Sequence, residues 1–98
     1  MKRDEALKTL AEHREELRQR FGVKSLALFG SVVRDEATET SDVDLLVEFD
    51  RPVGLLHVIG TEQYLEKLLS VNKVDLVLTR AVLPEFKDGI LAEAINAF

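Results

Sequence analysis

The sequence predicts an α/β (α+β) layer fold. Two observations carry this. Stretches with apolar residues at helical spacing alternate with short apolar runs of strand length, which gives sheet and helix layers around one core. The 98 residues suffice for a modest single core and are too few for two.

The first element is a helix from about Asp4 to Phe21. Leu7, Leu10, Leu17 and Phe21 form one apolar stripe, and Gly22 is placed to stop it. KSLALFG follows as a short buried strand ended by Gly30. SVVRDEA has helical propensity with room for two turns, and TETS is a loop. DVDLLVEF is the second strand. Val43, Leu45, Val47 and Phe49 line one face, and Asp42, Asp44, Leu46 and Glu48 the other. Asp50, Arg51, Pro52 and Gly54 break the pattern. Leu55, Leu56, Val58, Ile59, Leu65, Leu68 and Leu69 outline a second long helix, with Gly60 a weak point inside it. KVDLVLT is the third strand. Pro84 suits the first turn of a last helix, whose stripe runs through Phe86, Ile90, Leu91, Ala94 and Ile95. The stretch from Asp50 to Asn72 is long enough to cross between parallel strands, although strand order is not fixed by sequence.

Composition narrows the function classes. A net charge of −5 argues against a surface for generic polyanions, because nucleic-acid binding needs clustered Lys and Arg. Without cysteine there is no disulfide, thiolate zinc site or cysteine nucleophile. The N-terminus is charged throughout, and no apolar run approaches the ~20 residues that span a bilayer. The expectation is a cytoplasmic protein with no membrane partner. His13 and His57 lack metal-ligand spacing around them.

The carboxylates hold the most information. Asp42 and Asp44 project from one face at the start of the second strand, where two like charges repel. Asp75 interrupts the third strand between Val74 and Leu76. If the strands are neighbours, three carboxylates meet, which is costly without cations. Mg²⁺ answers that cost, and two ions ~4 Å apart can stabilise the attacking and leaving oxygens of a phosphoryl displacement. Gly30 and Ser31, before the short helix, form a small anion site, with Arg34 one turn on. Phosphates on the first site and magnesium on the second suit a nucleoside triphosphate. Each piece alone has a plainer reading. Gly-Ser is usually a turn, Asp-x-Asp is often solvated turn chemistry, Asp75 could be an exposed strand-end residue or pair with Lys73 or Arg80, and Arg34 could be a surface charge. Their order and spacing favour one mechanism.

The stretch FGSVVRDEATETSDVDLLVEF, with KVDLV after it, resembles the minimal nucleotidyltransferases of the DNA polymerase beta superfamily. Their signature is Gly-Ser, about ten residues, Asp-x-Asp, and a third Asp on a later strand. The resemblance implies a small mixed β-sheet packed against helices, and one minimal nucleotidyltransferase domain over 1–98. It implies that Gly30, Ser31 and Arg34 hold the triphosphate of ATP. Asp42, Asp44 and Asp75 would carry two Mg²⁺ and the catalysis, with Asp75 helping to activate the attacking hydroxyl. One departure stands out. Asp35 follows Arg34 where the family commonly has Gly, which costs backbone freedom and sets a negative charge near the phosphates. Catalysis is then weaker, or Asp35 points away.

Stand-alone members resemble the antitoxin of a type VII toxin–antitoxin pair, which moves AMP from ATP onto a tyrosine of a HEPN-domain toxin encoded by a neighbouring gene. The resemblance therefore implies a hetero-oligomeric partner. Two alternatives remain open. A small-molecule nucleotidyltransferase of the antibiotic-modifying kind would use the same residues but normally has a second domain for its acceptor. A non-catalytic module would neutralise its partner by contact alone. The apolar residues Ile90, Leu91, Ile95 and Phe98 near the C-terminus are expected to close the core, or in part to dock a partner.

Overall fold

The computed structural model describes residues 2–30 and 42–98. The expected SVVRDEA helix and TETS loop, with Ser31, Arg34 and Asp35, lie outside the described residues. Helix α1 (Arg3–Glu12) and helix α2 (Arg14–Phe21) lead into strand β1 (Val23–Phe29). After it come strand β2 (Val43–Phe49), helix α3 (Leu55–Leu69), strand β3 (Val74–Leu78), a 3₁₀ turn (Thr79–Ala81), helix α4 (Pro84–Glu93) and a two-residue strand β4 (Ile95–Asn96).

The sheet is mixed, in the order β3-β2-β1-β4. β1 is antiparallel to β2 and to β4, while β2 and β3 are parallel. α3 is the crossover that parallel neighbours require, as the length of that stretch predicts. One face of the sheet packs against helices. Leu26 and Leu28 of β1 and Val43, Leu45 and Val47 of β2 meet Leu10, Leu17, Leu65 and Leu69 in a single buried cluster. The alternation expected for β2 holds, and Leu46 is buried on the opposite face beside Ala27, its partner in register.

The first expected helix is two. His13 Nδ1, as the protonated nitrogen, donates to the Thr9 carbonyl at 2.8 Å. That is the acceptor an uninterrupted helix would give to the His13 amide, which bonds Leu10 O instead at 3.2 Å. The ring thus competes with the backbone, and the chain breaks there. Gly22 stops α2 as expected, in the left-handed region at φ 71°.

α3 has the predicted bounds but not the predicted stripe. Leu65 and Leu69 are buried, whereas Leu55 and Leu56 at its start are among the most exposed apolar residues described. The buried polar Thr61 is satisfied by donating to His57 O at 2.8 Å. His57 Nε2 meets Phe21 O at 2.6 Å and its ring lies edge-on to Phe21 and Phe49, so it ties α3 to the end of α2.

Pro84 opens α4 at its first turn. The helix has no buried residue, and Leu83, Phe86 and Leu91 are exposed. Core closure at the C-terminus is therefore divided. Ile95 and Phe98 pack against the core as part of the pairing with β1, and Phe86 and Leu91 do not.

Candidate active site

The direction of the strands assembles the site. β1 ends at the edge of the sheet where β2 and β3 begin, so Gly30 and the three aspartates gather at one end of neighbouring strands. Asp42 immediately precedes β2 and is exposed. Asp44 is paired in register with Phe29 of β1 on one side and with Asp75 of β3 on the other. Register partners point to the same face, so Asp44 and Asp75 stand side by side. Neighbouring strands place the two carboxylates together, which is the arrangement the motif requires.

Gly30 meets the Asp44 carboxylate directly. Its φ is +79°, and a Cβ at this position would lie 2.5 Å from Asp44 Oδ2. The glycine is therefore demanded twice, by a left-handed backbone and by the carboxylate packed against it. Ser31 and Arg34, the other two expected members of the nucleotide site, lie outside the described residues.

β3 is an edge strand, and two glutamates of α3 hold it. Glu66 Oε2 accepts the Val74 N–H at 3.0 Å, and Glu62 Oε2 accepts the Leu76 N–H at 2.9 Å. Those amides flank Asp75, so the strand that bears it is pinned on its outer edge. Sequence inspection passes over this pair, since two Glu four residues apart on a helix read as a solvated face. Their position beside buried Leu65 and Leu69 is the one signal available. Lys73, which precedes β3, donates toward Asp75 Oδ1 at 3.5 Å. Of the two cations expected as partners of Asp75, the structure places Lys73 there and not Arg80.

The electrostatics follow from the placement. Burial pushes the Asp44 carboxyl above the usual carboxylate range, and the negative charges of Asp75 and Asp42 push it further, partly offset by Lys73. The repulsion among Asp44, Asp75 and Asp42 is what a bound divalent cation would relieve. The donor set, carboxylates alone, fits Mg²⁺. Among the described residues no group of three His, Asp or Glu side chains is placed to hold a metal ion by itself. Phosphate oxygens and waters would supply the remaining ligands, as is usual for Mg²⁺.

The nucleotidyltransferase-domain family model matches residues 10–96, which includes every one of these positions. The chain belongs to the nucleotidyltransferase family. This nucleotidyltransferase is 45% identical over 86 residues to the protein adenylyltransferase MntA of Thermococcus cleftensis, covering 88% of this chain and 86% of that one. It is also 45% identical over 73 residues to a provisionally named protein adenylyltransferase of Methanocaldococcus jannaschii, 74% of each chain. A solved structure provisionally described as a minimal nucleotidyltransferase superposes with a TM-score of 0.77 at 40% identity, covering 97% of this chain and 95% of that one. A toxin–antitoxin structure with AMP-PNP shares the fold at 19% identity, with a TM-score of 0.73 over 90% of this chain and 72% of that one. The expected mixed sheet packed against helices is the fold of this nucleotidyltransferase.

Proposed function

We propose that this nucleotidyltransferase moves AMP from ATP onto a hydroxyl of a partner protein, a tyrosine of a HEPN-domain toxin, and is the cytoplasmic antitoxin of a type VII pair. The observation that carries the reading is the in-register pairing of Asp44 with Asp75, with Asp42 at the head of the same strand and Gly30 against the Asp44 carboxylate. The names of the relatives, protein adenylyltransferases, and the fold shared with toxin–antitoxin structures support it.

In this mechanism Gly30, Ser31 and Arg34 would hold the triphosphate, and Asp42, Asp44 and Asp75 would hold two Mg²⁺. When bound, the ions would supply charge neutralisation for the phosphates and for the developing phenoxide and pyrophosphate oxygens. Gly30, having no side chain, lets the backbone come close to the phosphates. The half-exposed Asp75 takes the proton of the acceptor hydroxyl. The acceptor oxygen bonds the α-phosphorus, the bond from that phosphorus to the bridging oxygen breaks, and pyrophosphate leaves. Asp44, paired to β1 and β3, fixes the geometry of the other two.

The exposed apolar residues of α4 favour one second reading, neutralisation of the partner by contact. One experiment separates them. The protein is incubated with labelled ATP and Mg²⁺, with and without the protein of the neighbouring gene. Label on the partner, seen as an intact-mass increase of one AMP, is the expected result. A stable complex without label would favour contact.

A further inference from the structure

We propose that Lys73 is a resident counter-ion of the acidic cluster, lying on Asp75 when no divalent cation is bound and opposing the cation when one arrives. This rests on the acidic cluster being a cation site. Lys73 is fixed at its backbone from two directions. Its carbonyl accepts the Val43 N–H at 3.0 Å, which joins the start of β3 to the start of β2, and the next amide, that of Val74, is held by Glu66. Residues 73 and 75 point to the same side of the chain, so the side chain lies back along the strand and its Nζ reaches Asp75 Oδ1. Asp44 is the in-register neighbour of Asp75, and the Lys73 charge offsets part of the repulsion that Asp44 feels.

The other Lys and Arg ion pairs among the described residues lie elsewhere. Lys24 is on Glu48 and Arg51 on Asp50, both at the far end of β2. Among the described residues Lys73 is the cation that the fold sends to the aspartates. The contact is loose by design of its geometry. At 3.5 Å the nitrogen is beyond a well-formed hydrogen bond, and the lysine side chain is 60% exposed. A loose, exposed ammonium leaves easily, so it relieves the repulsion among the carboxylates without blocking entry. A positive charge retained nearby then lowers the affinity of the site for a divalent ion.

The test measures cation binding on the full chain without nucleotide, so it does not depend on turnover. Mn²⁺ is titrated calorimetrically into wild type, Lys73→Gln and Lys73→Arg at low and at high salt. Lys73→Gln removes the charge and keeps most of the length. It should bind Mn²⁺ roughly three- to thirty-fold more tightly at low salt, with the gain shrinking at high salt. Lys73→Arg should match wild type. Equal or weaker binding by Lys73→Gln would overturn the proposal and leave Lys73 a surface ion pair. If wild type and Lys73→Gln bind no Mn²⁺, the comparison is repeated with a non-hydrolysable ATP analogue, whose phosphates complete the coordination; failure of both there overturns the cation-site reading itself, an outcome distinct from a failure of Lys73 alone.

Discussion

Asp44 carries an electrostatic cost that can be measured without any substrate. The folded chain holds a proton on Asp44 more readily than the unfolded chain does, because of burial and the neighbouring aspartates. Between the two pKa values the native state therefore binds more protons, and stability falls as pH rises through the folded value. The contribution is full below the ordinary Asp range and lost above the raised one. Asp44→Asn should match wild type in urea denaturation near about pH 3 and exceed it near about pH 8. The gain should stay under about 1 kcal/mol, since the group is partly exposed and screened. A gain of equal size at both pH values would assign the effect to packing. Gly30→Ala should act in the opposite direction. The left-handed backbone costs about 1–2 kcal/mol for a residue with a Cβ, and the new methyl would press on Asp44 Oδ2. Thermal melting should drop accordingly, and AMP transfer with it; an unaltered melting temperature would mean that the turn relaxes freely.

Edge strands expose unpaired amides, and here α3 covers two of them on β3 with Glu62 and Glu66. The double change Glu62→Ala/Glu66→Ala should cost about 1–3 kcal/mol in all, at roughly 1 kcal/mol or somewhat more per hydrogen bond, and raise the tendency to aggregate through β3. Chemical denaturation and light scattering would check the two effects separately. The same elements show what the sequence makes legible. β2 is readable because Val43, Leu45 and Val47 alternate with Asp42, Asp44 and Glu48, and α3 and β3 because their breakers are plain. The carboxylates at the head of the strands are readable because apolar periodicity fails there for no packing reason. The Glu bonds to β3 are not, since they depend on how the crossover lies against the sheet. The break at His13 turns on one ring competing for one carbonyl, and β4 is only two residues long. α4 has the spacing of a core helix, yet Phe86 and Leu91 are exposed, because periodicity marks an apolar face and does not say what covers it.

At the scale of the molecule the question is whether contact and chemistry can be separated. Asp42→Asn/Asp44→Asn keeps shape and removes two of the charges that would hold Mg²⁺. Stability should be equal or slightly higher, and AMP transfer should fall by several orders of magnitude. In cells co-expressing the partner, this variant should be captured in a pull-down yet fail to protect growth. Full protection would hand the function to contact. One feature of the sheet reaches beyond the reaction. β1 runs against β2 and β3, so all the described site residues lie at one end, while the turn from Asp50 to Gly54 lies at the other. Pro52 and Gly54 are exposed, and nothing lies within 4 Å of a Cβ built on Gly54. The polypeptide thus has a working pole and a permissive pole. A short Gly-Ser insert between Val53 and Gly54 should leave melting temperature and transfer close to wild type, whereas the same insert after Phe29 should abolish transfer. The permissive pole is therefore the place for a reporter, an affinity tag or a fused domain.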